Sequence, residues 1–256
     1  MNARKTVIDN IQASINNLKP QKHHRYLRVV VLNLPEILLP RLDGLPPLEV
    51  FLSPPPDIEG EDERCSSHHY HAQRTLLGVY YRMGRCGTLG LYQENLEQFF
   101  WRILLEINAQ FPYWRWTYAD LNELSVWVVE KTYWHERFHH SMDVLRHLFN
   151  VSRFDTLTEE ALAVAYSRYH LMQRYRRWPD EEQQVLWDAF LTLAYQYRSP
   201  GYSEWRQFGD KSSLKSGICD YLDLPATAQL QIARVSVADL LFDLIPVKTG
   251  FIEQVL

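Results

Sequence analysis

The chain reads as a predominantly helical α+β protein in which helices carrying a candidate metal site pack on a small β-sheet. Three observations predict this. His135, Glu136 and His139 spell H-E-x-x-H inside a helical stretch; a second helical stretch, from about Leu157 to Arg176, opens on paired carboxylates; and short β-rich runs bounded by glycine precede both. With 256 residues, 46% hydrophobic and 13% aromatic, the chain can bury a sizeable core.

Taken in order, Tyr26 to Leu34 and Leu48 to Leu52 are strand candidates, and the acidic, proline-rich Ser53 to Glu63 is a surface loop or short linker. Residues 1–75 are expected to be a strand and loop region that packs on the core and could shade a cleft as a lid; residues 76–256 form the core with a helical C-terminal extension. His68, His69 and His71 lack a carboxylate or cysteine at matching ligand spacing. Leu76 to Arg82 and Thr88 to Tyr92, joined by a glycine-rich turn, read as a hairpin. Gln93 to Ile107 has apolar residues at 96, 99, 100, 103, 104 and 107 and reads as a core helix. Apolar residues in Leu121 to Val129 and Val144 to Phe149 extend a helix through the H-E-x-x-H pattern. Thr156 and Glu159 suggest a capping box that opens the next helix. Glu181 to Tyr197 is a further amphipathic helix, and Ser199 to Trp205 is a turn into a mixed C-terminal region.

The chemistry rests on spacing. Side chains four apart on an α-helix project from nearly one face, about 6 Å apart along the axis, so His135 and His139 can close on one metal ion. Glu136 then stands beside the metal rather than on it, where a general base belongs. Catalytic zinc takes three side chains and leaves a position open. Glu160 is the expected third ligand, since a capping role would occupy Glu159; Glu159 is the reserve, and His147 is a further substitute. Asp143, four residues beyond His139, could accept the free ring N–H of a liganding histidine or pair with Arg137 or Arg146.

His135-Glu136-x-x-His139 followed by Glu159-Glu160-Ala161-Leu162-Ala163 resembles the gluzincin arrangement, in which a glutamate on the next helix completes the site. More loosely it is similar to the ImmA/IrrE-type intracellular metallopeptidases, although Phe138 stands where those have glycine. The resemblance implies a zincin-like core, Zn2+ as cofactor, and zinc-assisted cleavage of a protein or peptide at a limited site, with Glu136 as general base. It also implies a strand alongside the metal that aligns the substrate. Thr88, Leu89, Gly90, Leu91 and Tyr92 are the candidates, the other reading being that they simply edge the sheet. Tyr166, Tyr169, His170 and Tyr202 are available to hold an oxyanion, with Tyr202, in a Pro-Gly turn, preferred.

Other classes find less support. The formal charge is −4, and the one basic run, Arg174 to Trp178, suits a helix C-terminus; nucleic acid is not expected as a partner. Scattered cysteines at 65, 86 and 219, with no signal-peptide core and no membrane-length apolar run, point to a cytoplasmic protein. The rival function is a non-catalytic protein-interaction module with a structural or vestigial zinc site. A nuclease or other hydrolase on two metals would need more carboxylates.

Overall fold

The computed structural model describes residues 3–18, 27–32, 77–81, 87–151, 155–175 and 181–224. In chain order they form α1 (Ala3–Leu18), β1 (Leu27–Leu32), β2 (Gly78–Tyr81), β3 (Gly87–Tyr92), α2 (Gln93–Gln110), α3 (Tyr118–Phe149), α4 (Thr156–Arg174), α5 (Glu181–Ala194), a 3-10 helix (Tyr202–Phe208) and α6 (Lys211–Tyr221). The architecture is predominantly helical α+β with one three-stranded sheet among the described residues. No described helix is long and apolar enough to cross a membrane.

The spine is α3, a single helix of 32 residues. Its start is fixed by a reciprocal pair: Thr117 N–H donates to Asp120 Oδ2 at 2.8 Å, and Asp120 N–H donates to Thr117 Oγ1 at 3.2 Å. Its end is set by Asn150, whose φ of 53° is left-handed, with Val151 N–H closing back on Arg146 O at 2.9 Å. The N-terminal half buries Leu121, Leu124, Trp127, Val128 and Val129. Trp127 meets Trp187 and Phe190 of α5 at ring separations of 4.9 and 5.4 Å. That aromatic cluster seats α5 on the spine.

In the sheet, order β1-β3-β2, β3 runs parallel to β1 and antiparallel to β2. The predicted hairpin is therefore present, and the predicted strand over Tyr26 to Leu34 is observed as β1. The substrate-aligning expectation for Thr88 to Tyr92 is corrected. Those residues lie in β3, the central strand, where Gly90 pairs with Val30 on one side and Val79 on the other. Main-chain groups committed to two neighbours cannot accept a third strand.

Two elements were not anticipated. Val7, Ile11 and Ile15, four apart, form a fully buried stripe that packs α1 against α3 and α2. Asp210 caps α6, accepting from Ser212 and Ser213 N–H, with Ser213 Oγ reciprocating to the Asp210 N–H. Within residues 1–75, expected as strand and loop, Ala3–Leu18 is instead a helix packed on the core; the strand at Leu48 to Leu52, the acidic loop, the three clustered histidines, Cys65 and Cys86 lie outside the described residues. Cys219 is a buried free thiol.

Candidate metal centre

The second half of α3 is lined with polar groups and faces α4 on one side and β2 on another. Helix α4, in which Ala161 and Ala163 are buried, packs against α3. The cap of α4 differs from expectation. Asp155, not Thr156, accepts from Leu157 and Thr158 N–H, at 3.1 and 3.4 Å. Glu159 is thereby released from capping, and both carboxylates turn inward.

Glu160 Oε2 lies 3.0 Å from His135 Nε2 and 3.5 Å from His139 Nε2, and the two ring nitrogens are 3.3 Å apart. These three residues form the candidate metal-holding group found among the described residues. Ligands at about 2.1 Å from a tetrahedral ion stand about 3.4 Å from one another, a size comparable to this triangle. Moreover, Glu160 Oε2 is buried and makes no aligned hydrogen bond, despite its short distance to the rings.

Glu159 takes the far side of the same imidazole. Its Oε1 is 2.8 Å from His139 Nδ1. An N–H on Nδ1 leaves Nε2 with its lone pair turned to the triangle. Asp143 does not take this role: its Oδ2 accepts from the Tyr80 hydroxyl at 2.8 Å, while both nitrogens of His139 are engaged elsewhere. Helical phase explains the difference, since residue 143 lies further round α3, toward β2.

The charges are strongly coupled. For His139, burial opposes protonation, yet the hydrogen bond to Glu159 and the adjacent Glu160 and Glu136 carboxylates raise its pKa to about 10. Burial would raise the Glu160 carboxyl; contacts with His135 and His139 outweigh it and hold the group well below the usual carboxylate range. Glu159 is likewise lowered against its burial by His139, Tyr221 and Arg146. In the metal-free protein a proton on His139 thus answers the negative charge.

Glu136 points to a different face, 7% exposed, and burial raises its pKa against the pull of the two histidines. Gly78 of β2 lies directly over it. A Cβ there would stand 2.8 Å from Glu136 Cγ and 3.1 Å from Oε1, so only glycine allows this approach. Its place at the start of a short strand is the sequence signal for it.

Tyr202 reaches the site from the 3-10 helix. Gly201, at φ 83°, packs on Leu157 at the start of α4 and sets the turn. The Tyr202 ring stacks on His135, with centroids 5.8 Å apart and planes 11° apart, close to the Glu160 charge. Burial and the Glu160 charge push its pKa far up, so it stays a donor. The other oxyanion candidates are placed differently. Tyr166 and His170 pack with Trp134, and His170 is held near pKa 4 by burial. Tyr169 is a half-buried neighbour of His170. The side chain of His147 lies outside the described residues. Comparison of the chain with protein-family models, with curated proteins and with solved structures finds no match.

Proposed function

We propose that the protein is a zinc-dependent peptidase that cuts a protein or peptide substrate at a limited site. The observation that carries this reading is the convergence of His135 Nε2, His139 Nε2 and Glu160 Oε2 at mutual distances of 3.0 to 3.5 Å, with an unbonded buried oxygen among them. Zinc, when bound there, supplies Lewis acidity that activates water and polarises an amide carbonyl.

The chain's own residues divide the remaining work. Glu136 takes a proton from the attacking water and returns it to the departing amine; its raised pKa makes it a better base than a solvated carboxylate. Tyr202, whose ring stacks on His135, donates its O–H to the oxygen that gains charge as the carbonyl is attacked. An extended substrate adds to the outer edge of β2, which among the described residues pairs only with β3 and lies over Glu136 at Gly78. The tight fit at Gly78 keeps that strand close to the base.

The experiment is a comparison of cleavage products from cells expressing wild type or Glu136→Gln. Wild-type-specific peptide termini are expected, with in vitro hydrolysis of the substrate reduced about 10²- to 10⁴-fold in the variant and zinc retained. Identical termini in both would remove the peptidase reading. Zinc retained in both alongside those identical termini would favour a protein-interaction module with a structural ion.

A further inference from the structure

Helix α6 touches the site from behind. Its Tyr221, buried one turn beyond Gly217, donates its hydroxyl to Glu159 Oε2. The same hydroxyl accepts from Arg146 Nη1 at 2.9 Å, and that nitrogen also lies 3.1 Å from Glu159 Oε2. The Arg146 guanidinium sits over the Tyr221 ring, 5.8 Å from its centroid. Two buried groups, from α3 and α6, thus close on a single carboxylate oxygen of α4. The other oxygen of that carboxylate holds His139 Nδ1.

The position of Tyr221 is itself fixed. Gly217 lies one helical turn before it on the same face. A Cβ at Gly217 would meet Phe208 of the 3-10 helix at 2.6 Å and Leu162 of α4 at 2.9 Å, so α6 seats flush against both elements. Nothing in the H-E-x-x-H pattern or the paired glutamates requires a tyrosine some sixty residues downstream.

We propose that Tyr221, with Arg146, is a positioning residue that sets the zinc affinity of the His135, His139 and Glu160 centre by anchoring Glu159. This rests on the zinc reading above. With Oε2 pinned at two points, Oε1 stays on His139 Nδ1, and the ring keeps both its tautomer and its orientation. Without the tyrosine hydroxyl, only Arg146 holds Oε2, and the carboxylate can rotate toward it and away from the imidazole. The ring then loses its orienting partner.

The test is competition for Zn2+ between the full chain and a chromophoric chelator, read for wild type, Tyr221→Phe and Ile218→Val. Ile218 is a buried neighbour on α6 whose apolar side chain takes no part in the hydrogen bonding around Glu159, so its variant reports a general loosening of the helix. Tyr221→Phe is expected to bind zinc about tenfold more weakly, while Ile218→Val stays within about twofold of wild type. Should Tyr221→Phe fail to fold, Arg146→Lys, which keeps the charge and loses the fork, carries the same expectation. A wild-type affinity in the folded variant, or an equal loss in Ile218→Val, overturns the proposal. A wild-type chain that takes up no zinc overturns the metal reading as well, which separates the two failures.

Discussion

The two halves of α3 are one continuous helix built on opposite principles. From Leu121 to Val129 the buried side chains are almost all apolar, and each finds an apolar neighbour, as Trp127 does against Trp187 and Phe190. From Glu130 to Arg146 the buried set includes Glu130, Lys131, Glu136, Arg137, His140, Asp143 and Arg146. Burying ionisable groups opposes folding unless they pair, and unpaired ones are expensive. The first half therefore stabilises the fold, and the second gives up part of that stability to hold a buried polar cluster. Lys131 stands at the junction, its ammonium 5.0 to 5.6 Å from the ring centroids of Phe99, Tyr195 and Tyr197 and its pKa pushed down to about 7 by burial and Arg102.

The contrast can be broken from either end. Trp127→Ala is expected to destabilise the protein by about 3 to 5 kcal/mol, measured by denaturant unfolding, while the folded fraction keeps its zinc affinity. His139→Ala should do the reverse. Structural zinc sites are worth about 10 to 16 kcal/mol, so loss of one ligand weakens zinc binding by about 10²- to 10³-fold in chelator competition. Gly78→Ala forces a Cβ against Glu136 and Thr132, each at 2.8 Å; overpacking of about 1 to 3 kcal/mol is expected in unfolding, with a fall in turnover and no loss of zinc.

Smaller effects sharpen the same comparison through pH. The His139 pKa rises from an ordinary 6.5 to about 10 on folding, so the metal-free protein binds the extra proton when folded. Its stabilising contribution is complete below about pH 6.5 and is lost as pH rises toward 10. Zinc must displace that proton, and its apparent affinity should climb over the same interval. Lys131 acts with the opposite sign. Its folded pKa is lowered from 10.5 to about 7, so its destabilising effect is full below pH 7 and vanishes by about pH 10.5. Lys131→Met should accordingly gain stability over wild type at pH 6 and lose that advantage by pH 10.5 in thermal unfolding. A pH-independent difference would show that the cation–π box fully offsets the buried charge.

What the sequence disclosed follows from which interactions are local. The i to i+4 pair on α3, the strands of the hairpin, the α2 stripe and the choice of Glu160 all depend on short spacings, and the structure brings His135, His139 and Glu160 together as those spacings suggest. Tyr202 too is found beside His135. The choice of Glu160 nonetheless rested on a wrong premise, because Asp155 caps α4 and Glu159 orients His139 instead. Strand order was beyond reach, since whether Thr88 to Tyr92 lies at an edge depends on β1, some sixty residues earlier. The same holds for Gly78 over Glu136 and for Tyr221 on Glu159, contacts made by tertiary packing alone. Two helices were legible and overlooked: the four-residue spacing of Val7, Ile11 and Ile15, and the Asp210 with Ser213 cap.

The most direct test of the central claim is zinc titration of metal-stripped protein, comparing wild type with Glu160→Ala and Glu159→Ala. About one tightly held zinc per chain is expected in wild type, with binding nearly abolished in Glu160→Ala and weakened about 10- to 100-fold in Glu159→Ala. Wild-type protein that binds no zinc, or a Glu160→Ala variant that binds it as tightly as wild type, would contradict the account.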